Sequence, residues 1–249
     1  MENISKALLI AGGVLFAILV LTLLIIFRGK ISSYFTEQHN AKILEQVTEF
    51  NNKFENYNGQ TIRGSELISV MNRVVDYNRT YSDIQGAERV IIRVEFPDNH
   101  QKDLLYTGVT MSSSDILFAN STISNVSGDD NISRISGLSF ELATSTGIDD
   151  TKLQKLSANI SIICSTSTDE NDVNIRNEKL QKILGYGKSK TFEGTELRKI
   201  QSATLKYYQL TQFKRTMFKC TDVVHDQKSG RINKISFQAV VENGMLKQD

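Results

Sequence analysis

The chain has 249 residues, 40% of them hydrophobic and 23% charged, which excludes wholesale disorder and leaves room for one ordinary domain with an appendage. Twenty-nine Lys and Arg stand against 28 Asp and Glu, a net charge of +1, so the basic surplus usual in a nucleic-acid binder is missing. Two Cys and three His exclude a Cys-rich zinc site and a disulfide-dense scaffold.

Ala7 to Phe27 is a run of 21 residues without a charge, and its only polar side chain is Thr22. At about 1.5 Å per residue, a helix of this length crosses the roughly 30 Å hydrocarbon core of a bilayer. The run exceeds the apolar stretch of a signal peptide, and Phe27-Arg28-Gly29-Lys30 follows it instead of a small-residue cleavage site. An uncleaved membrane anchor is therefore expected. Gly12, Gly13 and Ala17 put small residues on adjoining turns, and Gly13 and Ala17 form a small-xxx-small pair that lets a second helix approach closely. Small residues are also common in membrane helices at large. Lys6 and the α-amine precede the run, and Arg28, Lys30 and Lys42 follow it, a one-charge lean towards a cytoplasmic C-terminal domain.

Ile31 to Phe54 carries apolar residues near a 3.6 period without Gly or Pro, so an amphipathic helix is expected to continue from the anchor. Asn58-Gly59 marks a turn. Ser65 to Tyr77 predicts a second helix, capped by Ser65, with Leu67, Ile68, Met71, Val74 and Val75 as its apolar stripe. From Arg89 the period changes to two. Val90, Ile92, Val94 and Phe96 alternate with Ile91, Arg93 and Glu95 and predict a strand ending before Pro97, with Asp103 to Val109 as its partner.

Residues 110–159 are rich in Ser, Thr, Asn and Asp around short apolar islands and read as short strands joined by polar loops. Ile160 to Cys164 reads as a strand, and Glu178 to Leu184 and Glu193 to Gln209 as helices. Phe213 to Val224 and Ile232 to Val241 read as two strands of a hairpin around a polar loop containing Gly230.

Residues 110–173 hold nine Asp and Glu against three Lys and Arg, and residues 174–249 hold seven against fifteen. Two readings fit: two solvated faces of one domain, or an acidic face that meets a basic face on another copy.

Catalytic and metal constellations find little support. His39 lies on the membrane-proximal helix, His100 and His225 fall in loops, and no Gly-x-Ser-x-Gly surrounds a serine. Asp129-Asp130-Asn131 and Asp169-Glu170-Asn171-Asp172 lack the ligand spacing of a calcium loop and read as solvated loops. Gly185-Tyr186-Gly187-Lys188-Ser189 lacks the spacing of a phosphate loop and reads as a helix-ending turn. No catalytic residue, metal site or cofactor is expected. Cys164 and Cys220 are either buried thiols or the partners in one disulfide, depending on compartment.

The short N-terminus, the apolar helix running into an amphipathic one over residues 1–54, and the domain beyond resemble the layout of type IV pilins and pilin-like proteins. That resemblance implies a helix that anchors the subunit and then packs in a filament core, with the domain outside the cytoplasm at a bacterial cell surface. Two features depart from the family pattern. No leader-peptidase site precedes the apolar run, and no acidic residue lies between Ala7 and Phe27. Phe50 to Asn78, together with Phe213 to Thr221, also looks like an uncharacterised group of small membrane-anchored bacterial proteins.

The sequence therefore predicts an α+β chain in three parts: a tail and transmembrane anchor at 1–30, a helical membrane-proximal segment at 31–78, and a β-rich domain at 79–249 with a polar insertion at 110–159, ending in a β-hairpin. The expected role is a membrane-anchored structural or assembly subunit that self-associates, as a pilin-like filament or within an envelope complex. The alternative is a membrane-tethered binding module that uses the acidic 110–173 region. Expected partners are the lipid bilayer and copies of itself or other envelope proteins, with no nucleic acid, and the domain is expected outside the cytoplasm.

Overall fold

The computed structural model describes residues 2–80, 89–125 and 131–249. They form two compact units, Met1–Asn52 and Lys53–Asp249. The first unit is part of one unbroken helix, α1 (Glu2–Glu55). No proline occurs in its 54 residues, and the run of Leu, Ile, Val and Ala from position 7 suits a helix whose environment is apolar on every side.

The second unit is a mixed α/β domain. Its five-stranded sheet runs in the order β1 (Thr61–Arg63), β4 (Met217–His225), β5 (Ile232–Ala239), β2 (Ile91–Glu95), β3 (Thr122–Ser124). β4 lies antiparallel to β1 and β5, β2 is parallel to β5, and β3 is antiparallel to β2. The parallel β2–β5 pair requires a long crossover, and the helices of the domain occupy it. In chain order these are α3 (Asn131–Thr146), α4 (Asp150–Ser157), α5 (Ile160–Ile163), α6 (Glu170–Leu184) and α7 (Gly194–Arg215). A further helix, α2 (Gly64–Thr80), follows β1 and packs on β1, β2 and β4. Helices α3 and α7 pack on α2, α4 packs on α7, and α5 and α6 complete that side. Beyond β5, the short strands β6 (Val241–Glu242) and β7 (Met245–Leu246) pair with each other.

The alternation expected from Val90 to Phe96 sets one face of the sheet. Ile92 and Val94 are buried beside their partners Ile235 and Phe237, while Ile91, Arg93 and Glu95 stay half-buried on the other face. Arg93 and Glu95 form an ion pair there. The core centres on four aromatic rings. Phe118 stacks on Phe213 at 5.2 Å between centroids, Phe213 meets Phe218 at 4.9 Å, and Phe96 sets its edge against all three. Phe213 is the joint of the cluster, because it lies on α7 and touches rings on a strand and on two loops.

Gly64 marks the closest approach of two backbones. Its N–H donates to the Thr216 carbonyl at 2.8 Å, and a Cβ at this position would overlap the Phe213 carbonyl. Only glycine fits where α2 begins against the end of α7. Helix α2 starts one residue before Ser65, so Ser65 lies within its first turn and is not the residue before the helix.

Four further sequence expectations are corrected. Asp103 to Val109 is not a strand: Pro97–Leu104 forms a 3-10 segment with Asp98 and Asn99 at positive φ, and β2 pairs with β3 and β5 instead. Residues 131–157 are helical, not short strands, so the domain is less β-rich than its composition suggests. Ile132, Ile135, Leu138 and Leu142 supply one buried stripe, and Leu153, Leu156, Ile160 and Ile163 a second. The Ser and Thr residues that read as loop are accommodated by bonding back along the helix, as Thr144 and Thr146 do to the carbonyls of Phe140 and Leu142. Ile160 to Cys164 is a helical turn, not a strand. Phe213 to Arg215 ends α7, and β4 begins only at Met217.

Candidate functional site

Two regions carry the candidate residues. The first is the apolar stretch of α1. Leu8–Arg28 has a mean hydropathy of 3.0, and none of it is buried within the protein. It is long and apolar enough to cross a membrane by length and composition, a test that a signal sequence also passes. Thr22, the one polar side chain between Leu8 and Phe27, satisfies its hydroxyl on the Ile18 carbonyl at 2.8 Å. Gly12 and Gly13 have open space where a Cβ would stand, and Ala17 lies one turn beyond Gly13 on the same face. The side chains of residues 31–44, where the amphipathic stripe was expected to begin, lie outside the described residues.

The second region is the helical side of the domain. Asp149 caps α4 by accepting the Lys152 N–H at 2.9 Å, and Asp169 caps α6 by accepting the Asn171 N–H at 3.0 Å. The acidic run 169–172 is therefore a helix start, with Glu170 and Asp172 in the first turn where the helix dipole favours negative charge. Asp115 is buried. Burial alone would raise its pKa, but hydrogen bonds from Ser112 and Ser202 and the charge of Lys206 outweigh this and hold the carboxyl below the usual range. These engagements tie three of the nine acids of residues 110–173 to their own chain. Asp129 and Asp130 lie outside the described residues.

Amide side chains, all but Gln201 buried, hold the loops of this region and the start of β2, and sequence reading missed them. Gln209, fully buried on α7, accepts the Leu117 N–H and donates to the Asp115 carbonyl at 2.7 Å, pinning the segment before β3. Asn78 and Asn125 both meet the Val90 carbonyl, and Asn125 also accepts the Ile92 N–H, which satisfies the start of β2. Gln201 donates to the Ile163 carbonyl at 3.0 Å. Asn177 accepts the Phe192 N–H, and Gln181 donates through one nitrogen to the carbonyls of Lys188 and Lys190. No periodic signal marks such residues. For Gln209 the usable clue is its place among the apolar residues Leu205, Leu210 and Phe213 of one helix.

Helix α6 ends as expected at Gly185, in the left-handed conformation at φ 83°. The chain then turns through Tyr186 to Thr191 and leaves an open cavity of about 620 Å³, lined by Asn174, Asn177, Glu178, Gln181, Tyr186 and Lys188 among others. A second cavity, of about 410 Å³, lies where α3 meets α7 and contains Asp115, Glu141, Arg198, Lys199 and Lys206.

The remaining candidates are dispersed. His100 pairs with Asp103 at 2.8 Å, and Asp103 also accepts the Leu246 N–H. His225 meets Glu55 at 3.1 Å. Among the described residues no serine, threonine or cysteine side chain hydrogen-bonds either histidine, and no three His, Cys, Asp or Glu side chains gather as metal ligands. Cys164 and Cys220 are buried and free, at the end of α5 and within β4. Burial, aided by the negative charge of Asp115, pushes the Cys164 thiol up to about 12, and burial also raises Cys220.

No protein family, curated protein or solved structure matches the chain.

Proposed function

We propose that the chain is a membrane-anchored structural or assembly subunit, held in the bilayer by Leu8–Arg28 and self-associating or joining an envelope complex. One observation carries this reading: the apolar stretch is exposed along its whole length, in a helix that runs unbroken to Glu55. Exposed Leu, Ile, Val and Phe over 21 residues need a cover, and lipid or the same helix of other copies supplies one. Gly13 and Ala17 are the contact spot between copies. In its sharpest form the reading is pilin-like, with the domain outside the cytoplasm and the helix moving from bilayer to filament core.

Alkaline carbonate extraction of membranes tests the anchor, and cross-linking in the same membranes tests association. The full chain stays in the pellet and cross-links to itself, and Gly13→Leu lowers the cross-linked fraction several-fold without releasing the chain. Release by carbonate contradicts the anchor. Cross-linking that ignores Gly13→Leu contradicts the contact spot.

A second reading, a membrane-tethered binding module, is favoured by the polar cavity beside α6, whose lining is held rigid by buried amides. A monomer in membranes with a ligand in that cavity distinguishes it from the first.

A further inference from the structure

The cavity beside α6 has the chemistry of a receptor for hydroxyl-rich ligands, and we propose that it binds a short neutral or N-acetylated saccharide. The inference stands apart from the anchoring reading and does not depend on it.

Asn174, Asn177, Glu178, Gln181 and Lys182 recur at three- and four-residue spacing, so one face of α6 forms the floor. Asn177 and Gln181 are more than nine-tenths buried, and each is fixed at one end. The Phe192 N–H needs the Asn177 oxygen, and the carbonyls of Lys188 and Lys190 need the Gln181 nitrogen. This leaves the Asn177 Nδ2 donor and the Gln181 Oε1 acceptor without a protein partner among the described residues, on two side chains that line the cavity. A donor and an acceptor one helical turn apart suit adjacent sugar hydroxyls, each of which both donates and accepts.

Tyr186 supplies the apolar complement. Its backbone N–H is bound to the Gln181 carbonyl at 2.9 Å, its ring packs T-shaped with Phe192 at 5.6 Å between centroids, and it is 54% exposed at the cavity rim. A held, half-exposed aromatic ring gives the C–H side of a pyranose a surface to pack on. The charges around it are of both signs, Glu178 against Lys182 and Lys188, so no single-sign field selects an anion. A cavity of about 620 Å³ falls within the range of small-molecule sites and admits two or three sugar rings.

The test is titration calorimetry with saturation-transfer NMR on the full chain in micelles of a sugar-free detergent. Tri-N-acetylchitotriose, cellotriose and maltotriose are the probes, and a panel of acidic and basic tripeptides is the control. At least one trisaccharide is expected to bind with Kd on the order of 1 mM or tighter. Tyr186→Ala and Asn174→Ala each weaken it about tenfold with an unchanged melting temperature, and Tyr186→Phe restores it. No saccharide binding at 10 times that concentration overturns the proposal, as does binding that neither substitution alters. Binding of the peptides alone, sensitive to Tyr186→Ala, overturns it in favour of a peptide site.

Discussion

The sheet side and the helical side of the domain are held together by different means. Around the sheet, Phe96, Phe118, Phe213 and Phe218 interlock with Ile92, Val94, Ile235 and Phe237, and stability comes from apolar area removed from water. On the helical side the apolar stripes of α3 to α5 are supplemented by Gln209, Asn177 and Gln181, buried amides that bind loop backbones to α6 and α7. An apolar core tolerates small shifts of its parts. A buried amide that loses its partner leaves a desolvated polar group, so one broken bond on the helical side releases the loop it held and opens that side locally.

The largest effect that would break this contrast is at the aromatic joint. Phe213→Ala removes the ring shared by three others, and chemical denaturation should show a loss of about 3–5 kcal/mol. A loss below about 1 kcal/mol would mean that the four rings are not the centre of the core. Next is Gly64→Ala, where the added methyl meets the Phe213 carbonyl; about 1–3 kcal/mol is expected, because backbone cannot step aside as a side chain can. Gln209→Ala should cost a similar or smaller amount, about 1–3 kcal/mol, by orphaning the Leu117 N–H and the Asp115 carbonyl. Hydrogen exchange should localise that loss to the 111–125 segment and leave β4 and β5 unchanged.

The cysteines sharpen the comparison with the smallest perturbation, because one lies on each side. With its pKa at about 12, Cys164 holds a vanishing thiolate fraction at pH 8, so an aromatic disulfide reagent should leave the native thiols unmodified. In denaturant without reductant both should react, whereas a Cys164–Cys220 disulfide would yield neither. At denaturant concentrations below the main transition Cys164 should label first, since the amide-held side opens locally before the sheet does. Simultaneous labelling would mean that the two sides unfold as one.

The contrast also explains what the sequence discloses. The apolar run from Ala7, the alternation from Val90 to Phe96 and the stripe of α2 are legible because burial imposes a period on consecutive residues. Helices α3 to α5 were misread: Ile132, Ile135, Leu138, Leu142 and Leu153, Leu156, Ile160, Ile163 carry a helical period, but the Ser, Thr and Asn between them made the region read as short strands and polar loops. The cavity floor was not legible. Asn177 and Gln181 look like surface residues of a helix, and only the return of the 185–193 segment across them makes them buried. Nor does α6 betray its start, because Asp169 and its acidic neighbours read as a solvated cluster until the helix behind them is seen.

The central claim is that Leu8–Arg28 stays in the mature chain as an anchor and packing helix. Shearing cells, separating released surface material from membranes, and determining the N-terminus of the chain in each fraction tests it most directly. The account predicts a chain that begins ahead of Leu8 wherever it is found; recovery in sheared filaments selects the pilin-like form, and recovery in membranes alone selects a permanently anchored subunit. A soluble chain beginning beyond Arg28 would contradict the account, because the segment would then be a removed signal and not an anchor.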